Sequence, residues 1–194
     1  MTDNFQITIQ SMLTGTDKWN LVAAFLRLRR KVFIERMNWQ LHHAEMMEFE
    51  QYDRMDTVYI LAHSGDHVLG GARLLRTDRA SGSGKVRYSY MIRDAYLGLL
   101  DALPRELCDD APPCSEDVWE LTRLISDGSP GVGEHILESA NHFLSHQGAS
   151  SCLFLGPPAF MRMARSMGFA PQALGKIQGN RDGRFLAFDC LVQN

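Results

Sequence analysis

Apolar residues recur at steps of three and four along residues 18–36, and this spacing predicts an amphipathic helix. Its apolar face would carry Leu21, Val22, Phe25, Leu28, Val32 and Phe33. Arg29 stands four positions before Phe33, so the two side chains lie about one turn apart on the same side. A groove lined by both is a candidate binding surface.

A β-hairpin is predicted next. Residues 57–62 and 68–75 are rich in Val, Ile, Leu and Tyr, and a turn-like segment at 63–67 separates them. An acidic loop precedes the hairpin, because residues 41–56 hold five acidic side chains and one basic side chain.

The second half of the chain alternates strands with helices. The pattern predicts a helix at 90–100, a strand at 118–125, a glycine-rich loop at 128–133, a helix at 134–146, a strand at 152–155, a helix at 159–167 and a strand at 185–192. Mixed elements without an internal repeat indicate the α/β class. We expect a single three-layer domain over residues 1–194 with a mixed central sheet.

Composition narrows the function classes. With 194 residues and 45% hydrophobic content, the chain is able to bury a core, and a net charge of −3 gives no signature of nucleic-acid binding. The sequence has no apolar run long enough for membrane insertion and no signal-peptide pattern, so a cytoplasmic protein is expected. The cysteines and histidines lack metal-ligand spacing, and no metal site is predicted.

Charged residues interrupt apolar segments at several places, where each needs a partner or a function. They are Arg29, Glu48, Glu50, Asp53, Arg73, Glu120 and Arg123. One interpretation is a buried ion-pair network that fixes the acidic loop against the sheet. The other is a site beside Phe33 and Trp39 for a ligand with a carboxylate, an ammonium and a sulfonium group, which S-adenosylmethionine combines.

The order and spacing of these residues resemble a known family. The fragments are Leu28-Arg29-x-x-Val32-Phe33, Trp39, Glu48-x-Glu50-x-x-Asp53, Arg73-Leu-Leu-x-Thr77 and Val118-Trp-Glu-Leu-Thr-Arg123. Together they resemble the LuxI-type acyl-homoserine lactone synthases over about residues 25–125.

The resemblance implies a GNAT-acyltransferase-like fold and an enzyme that makes a quorum-sensing signal. Such an enzyme transfers an acyl group from acyl-carrier protein, or from acyl-CoA, to the amine of S-adenosylmethionine and closes the lactone with release of methylthioadenosine. No prosthetic group is implied, because S-adenosylmethionine is a substrate. It would occupy the N-terminal half, and the acyl chain the C-terminal half.

The resemblance also assigns residues. Arg29, Phe33 and Trp39 would line the S-adenosylmethionine pocket, and Glu120 would be the general base. The remaining substrate-binding residues would be Glu50, Asp53, Arg73, Thr122 and Arg123. The family usually has Asp at position 50, Pro at position 76 and Ser at position 122. This chain has Glu50, Arg76 followed by an insertion, and Thr122, which keeps the hydroxyl.

A regular strand would point Glu120 and Arg123 to opposite faces, because they are three positions apart. We therefore expect a bulge in this strand, or different partners for the two side chains.

The acyl chain is expected to contact soft apolar residues, namely Leu153, Leu155, Met161 and Phe169. Residues 152–194 hold five basic and two acidic side chains, a charge that would attract an acidic carrier protein. Leu155, Gly156 and Pro157 offer no side-chain hydroxyl for a 3-oxo group, so an unsubstituted chain is expected to be preferred over a 3-oxo chain.

Two other functions remain open. The glycines at 131 and 133 before a helix are typical of a phosphate-binding loop, which would suit an N-acyltransferase that uses acyl-CoA on a different amine. A small-molecule sensor that has lost catalysis is the third hypothesis, and the presence of Glu120 argues against it.

Overall fold

The computed structural model describes residues 5–180 and 183–193. Its strands are β1 (Gln6–Gln10), β2 (His43–Ala44), β3 (Met47–Glu48), β4 (Val58–Ser64), β5 (His67–Arg76), β6 (Val118–Ser126), β7 (Ser151–Gly156), β8 (Gln172–Ala173), β9 (Gln178–Asn180) and β10 (Gly183–Leu191). Its α-helices are α1 (Trp19–Arg29), α2 (Met91–Tyr96), α3 (Val132–His146) and α4 (Pro158–Ser166). A π-helical segment, Arg30–Arg36, continues α1, and a 3₁₀ turn spans Arg105–Leu107.

Eight strands form one mixed sheet in the order β1, β4, β5, β6, β7, β10, β8, with β9 paired to β10. The β6–β7 pair is parallel, whereas β1–β4, β4–β5 and β7–β10 are antiparallel. The short strands β2 and β3 pair with each other in the acidic loop. The predicted α/β class with a mixed central sheet is confirmed.

The described chain divides into two compact units. The first contains the described residues up to Leu74 together with Thr122–Ala140, and the second contains Leu75–Leu121 and the described residues from Asn141 onward. Strands β5 and β6 therefore contribute residues to both units. The assignment of one half to S-adenosylmethionine and the other to the acyl chain stays a prediction.

Two successive glycines of β5 let one helix pack closely on each face of the sheet in the first unit. A Cβ on Gly71 would lie 2.9 Å from the ring of Phe25 in α1, and a Cβ on Gly70 would lie 2.8 Å from Val132 in α3. Because neighbouring strand residues face opposite sides, α1 and α3 cover opposite faces of the sheet. The apolar face of α1 packs there against Tyr59, and most of its predicted members are buried.

The register of the second unit aligns side chains in rows. Glu120 pairs with Leu153, and Leu153 pairs with Asp189, so these three side chains share one face of the sheet. Helix α2 begins on this face, since its first backbone amides bond to Glu120. On the opposite face, Trp119 meets the ring of Phe143 in α3 edge-on at 5.7 Å. The second unit therefore also has helices on both faces.

Candidate functional site

Six charged side chains of the first unit converge into one cluster, called here the charged cluster. Its members are Arg29 of α1, Glu48 of β3, Glu50 and Asp53 of the following loop, Arg73 of β5 and Arg123 of β6. Three positive and three negative groups balance each other. The interpretation as an ion-pair network therefore describes what these residues do in the folded chain.

Arg29 is completely buried and holds the acidic loop against α1. Its guanidinium donates to both oxygens of Asp53, at 2.7 and 3.0 Å, and its Nε donates to Glu48. Each of its nitrogens is thereby engaged within the protein. A direct contact of Arg29 with a ligand carboxylate stays a prediction, and it would require this network to open.

Arg73 is the second fully buried arginine. It donates to Glu50 at 2.7 Å and to the Thr122 hydroxyl at 3.1 Å, and it lies 3.3 Å from an oxygen of Asp53. The ring of Tyr52 lies 5.4 Å from its guanidinium carbon, within cation–π range. The side chain of Glu50 thus reaches its arginine partner.

Arg123 joins the charged cluster through an unusual backbone conformation. Its φ is +57°, a left-handed value that is rare for a residue other than glycine. This turn within β6 lets adjacent side chains reach the same cluster, since Thr122 contacts Arg73 and Arg123 lies 2.9 Å from Glu50. The bulge-like irregularity expected from the spacing of this motif is therefore present.

The guanidinium of Arg123 is only partly engaged. Its Nη2 contacts Glu50 and Glu48, the latter at 3.2 Å, while its Nε is buried without a hydrogen-bond partner. The guanidinium carbon of Arg123 lies 5.3 Å from the ring centroid of Phe33. Arg73 Nη1 also lacks a hydrogen-bond partner but lies 3.3 Å from Asp53, whereas Arg123 has its unused Nε on the guanidinium that faces Phe33.

Two aromatic rings stack beside the charged cluster. Phe33 and Trp39 have ring centroids 5.0 Å apart and planes inclined by 11°. Phe33 is buried in the π-helical segment, whereas Trp39 is half-buried and keeps part of its ring accessible. A left-handed turn at Asn38 and a 2.9 Å bond from Trp39 N–H to Phe33 C=O hold this arrangement. The structure thus places Trp39 and Arg123 on the same ring, that of Phe33, while a pocket lined by Arg29, Phe33 and Trp39 stays a prediction.

Electrostatics keep two acids of the cluster, Asp53 and Glu50, ionised. Burial alone would raise the pKa of Asp53, but Arg73 and Arg29 outweigh it and hold that pKa well below its ordinary value. Burial acts on Glu50 in the same way, and Arg123 and Arg73 lower its pKa. Carboxylates with a lowered pKa, such as these two, are poor proton acceptors near neutral pH.

Tyr59 is a member of this region that the sequence analysis missed. Its hydroxyl donates to Asp53 at 3.0 Å, and the side chain is buried. Alternation along β4 places Tyr59 on the face of Arg73, its register partner, and this periodicity is the signal that would have identified it.

Glu120 lies in the second unit and is completely buried. Its two oxygens accept the backbone N–H groups of Met91 and Ile92, at 3.0 and 2.8 Å. These amides start α2, whose N-cap residue Tyr90 makes no side-chain cap. Glu120 of β6 therefore caps the N-terminus of α2, in place of a residue adjacent to the helix. Its function as general base stays a prediction.

The four predicted acyl-chain residues are not all on one face of the sheet. Leu153 and Leu155 share the face of Glu120, because they alternate with Phe154 along β7. Helix α4, which carries Met161, packs on the face of Phe154, since its Phe160 ring lies 5.4 Å from that of Phe154. Phe169, the fourth, is half-buried just after α4.

The basic residues of the C-terminal stretch are solvent-exposed wherever the structure describes them. Those described are Arg162, Arg165, Lys176 and Arg184. Arg181 and Asp182 lie outside the described residues. Within residues 5–180 and 183–193, no helix is long and apolar enough to cross a membrane. The same part of the chain holds no group of three side chains suited to a metal ion.

Comparison with known proteins connects this arrangement to a family. Residues 16–168 match the family described as autoinducer synthase. An acyl-homoserine-lactone synthase from Acinetobacter nosocomialis is 29% identical over 185 residues, which cover 89% of this chain and 91% of that protein.

Solved structures agree with the sequence comparison. TofI, in a ternary complex with an inhibitor and MTA, superposes with a TM-score of 0.77 at 26% identity, covering 97% of this chain and 92% of that one. BjaI, a CoA-dependent acyl-homoserine lactone synthase solved with SAM and isopentyl-CoA, shares the fold with a TM-score of 0.79 at 20% identity, covering 98% of this chain and 84% of that one. The GNAT-like fold expected from the sequence is confirmed.

Proposed function

The chain belongs to the autoinducer synthase family, and on that premise we propose that it is an acyl-homoserine-lactone synthase. The observation that supports this proposal most is the family match over residues 16–168, which includes every member of the charged cluster and the Phe33–Trp39 stack.

The reaction consists of two bond exchanges. The amine of S-adenosylmethionine attacks the acyl thioester carbonyl, which forms an amide and expels the donor thiol. The carboxylate oxygen then attacks the γ-carbon, which closes the lactone, breaks the carbon–sulfonium bond and releases methylthioadenosine. The product is a quorum-sensing signal, and no prosthetic group takes part.

We propose that Trp39, Phe33 and Arg123 bind S-adenosylmethionine directly. The accessible part of the Trp39 ring suits a sulfonium, because a cation over an aromatic face is stabilised by the ring quadrupole. Arg123 suits the carboxylate, since its Nε is unused, whereas the nitrogens of Arg29 are occupied. Arg29, Arg73, Glu50, Asp53 and Thr122 then act as a rigid support that positions Arg123.

Glu120 is proposed as the base that removes a proton from the attacking amine, directly or through a water. The support is chemical and comes from the family motif. Asp53 and Glu50 of the charged cluster are held ionised by arginines that lower their pKa values, so the basicity of these two carboxylates is low. Glu120 lies outside the charged cluster, and its two oxygens accept the backbone N–H groups of Met91 and Ile92.

We further propose acyl-carrier protein as the acyl donor in the cytoplasm. The exposed basic residues of α4 and β10 suit an acidic protein, since complementary charge accelerates association. Acyl-CoA is the alternative donor, as in the structure of BjaI. Turnover with matched acyl-carrier and acyl-CoA thioesters at increasing salt separates the two, because a protein donor held by charge loses more activity as salt rises.

A direct test mixes the purified chain with S-adenosylmethionine and an acyl thioester and measures methylthioadenosine and lactone by mass spectrometry. The synthase releases both in equal amounts. An N-acyltransferase acting on another amine would consume the thioester without methylthioadenosine, and this result would refute the proposal.

A further inference from the structure

The second unit contains a buried carboxylate oxygen that the proposed mechanism does not use. Asp189 of β10 is half-buried, and its Oδ1 is buried without a hydrogen-bond partner. An unpaired buried acceptor costs about 1–3 kcal/mol, so such an atom is rarely retained without a partner. Asp189 is therefore a candidate for contact with a ligand.

The register gives this acceptor a place relative to the proposed base. Asp189 pairs with Leu153, which pairs with Glu120, so the three side chains form one row on a single face of the sheet. Neighbouring strands are about 4.8 Å apart, which places the Asp189 backbone about 10 Å from that of Glu120. A hydrogen bond from the attacking amine to Glu120, the new amide bond, the two bonds to the third carbon of the acyl chain and a hydrogen bond from a hydroxyl on that carbon together span about 10 Å.

We infer that Asp189 selects the acyl chain by accepting a hydrogen bond from a hydroxyl at its third carbon. The inference rests on the proposed function and adds a specificity residue to it. An ionised carboxylate only accepts hydrogen bonds, so it pairs with a 3-hydroxyl and repels the oxygen of a 3-oxo group. An unsubstituted chain forms no hydrogen bond with this oxygen and does not repel it. The oxygen is then as unpaired as it is in the enzyme without substrate.

The polarity of the surroundings agrees with this assignment. Burial raises the pKa of Asp189 above its ordinary value, and it outweighs the hydrogen bond from the residue's own backbone N–H, which lowers that pKa. Its two register partners, Leu153 and Gln172, present one apolar and one amide side chain. Neither carries a positive charge that would neutralise Asp189.

The experiment compares three acyl donors of equal chain length, unsubstituted, 3-oxo and 3-hydroxy, in competition, with the lactones quantified by mass spectrometry. The wild-type chain should prefer the 3-hydroxy donor over the 3-oxo donor. Asp189→Leu should reduce the 3-hydroxy to unsubstituted product ratio about ten- to a hundredfold, since hydrogen bonds to charged groups are the stronger ones. Asp189→Asn, which is nearly isosteric, should raise the 3-oxo share because its amide is able to donate.

Asp110→Asn removes an exposed carboxylate of the same unit and serves as the control, with product ratios equal to those of the wild type. The inference would be overturned if the wild type and both Asp189 variants gave equal product ratios and the unsubstituted donor still released methylthioadenosine. Absence of methylthioadenosine with every donor would instead overturn the proposed function.

Discussion

At the scale of single residues, burial and hydrogen bonding separate side chains that look alike in the sequence. Arg29 and Arg123 both interrupt apolar segments, and the sequence assigns both to substrate binding. In the structure Arg29 is saturated by carboxylates, whereas Arg123 keeps an unused Nε. Which arginine remains available depends on side-chain geometry, and this geometry is not encoded in residue type or spacing.

Glu120→Gln is expected to lower methylthioadenosine release about 10²–10⁴-fold, because the amide does not accept a proton. S-adenosylmethionine binding, measured by calorimetry, should change only a few-fold. The glutamine would also place its side-chain N–H₂ group, a donor, opposite one of the α2 backbone N–H groups that now donate to Glu120. One hydrogen bond is lost in this way, so a moderate fall in melting temperature is expected.

The capping function needs its own control. Asp94→Asn disturbs the same end of α2, since Asp94 accepts from Ser89, but it leaves Glu120 unchanged. If Asp94→Asn loses as much activity as Glu120→Gln, the loss comes from α2 and Glu120 is not the base.

Trp39→Ala is expected to weaken S-adenosylmethionine binding about 2- to 30-fold, which corresponds to roughly 0.5–2 kcal/mol for an aromatic face beside a cation. The apparent affinity for the acyl donor should stay the same. Trp39→Phe keeps a ring on Phe33 and should recover most of the affinity. Parallel losses for both substrates would contradict a direct contact with the sulfonium.

Arg29→Ala is expected to destabilise the chain by about 3–5 kcal/mol, because the buried carboxylates of Glu48 and Asp53 both lose the arginine that donates to them. Arg123→Lys keeps a positive charge beside Glu50 and should leave the melting temperature near that of the wild type while raising the KM for S-adenosylmethionine. A stable Arg29→Ala protein with a selective KM effect would instead favour direct binding by Arg29.

At the scale of elements, the hydrophobic pattern predicts the long elements well. The predicted first helix, the hairpin and the later strands and helices are present, with boundaries shifted by a few residues. The short strands β2, β3, β8 and β9 were missed because two or three residues are too few to show a period of two. The edge strand β1 was also missed, although its sequence does alternate, with Ile7 and Ile9 between polar residues. The π-helical form of Arg30–Arg36 was also missed, since wider turns share the apolar spacing of an α-helix.

The glycine pair of β5 makes a prediction about packing between elements. Gly71→Ala is expected to destabilise the chain by about 1–3 kcal/mol, because its Cβ would meet Ile60 C=O at 2.8 Å and the Phe25 ring. Gly133→Ala in α3 is the matched control. Its Cβ would meet nothing within 4 Å, and alanine favours the helix. Urea unfolding of the two variants compares these effects, and equal stabilities would contradict the close approach of α1.

At the scale of the whole molecule, the charged cluster predicts how stability depends on pH. The pKa of Asp53 falls below its ordinary value of 3.8 on folding, and that of Glu50 falls below 4.5. A carboxyl group whose pKa is lower in the folded state than in the unfolded state stabilises the fold at every pH above its unfolded-state pKa. This stabilisation is lost as the pH falls through the pKa of the folded state.

The melting temperature should therefore be nearly constant between about pH 5 and pH 8 and should fall steadily below about pH 4. Asp53→Asn removes one of these groups, so its profile should be flatter in acid, although its melting temperature at pH 7 is lower. Identical slopes in the two proteins would show that Asp53 is not stabilised in its ionised form.

The stacked ring of Trp39 also gives the molecule an optical signal. The chain has three tryptophans, of which Trp119 is buried and Trp19 packs edge-on against Tyr59, 6.2 Å away. Trp39 is the tryptophan placed beside the proposed sulfonium site. Occupancy by S-adenosylmethionine should therefore change the emission of Trp39, so that binding is followed by intrinsic fluorescence without a label and before any acyl donor is added.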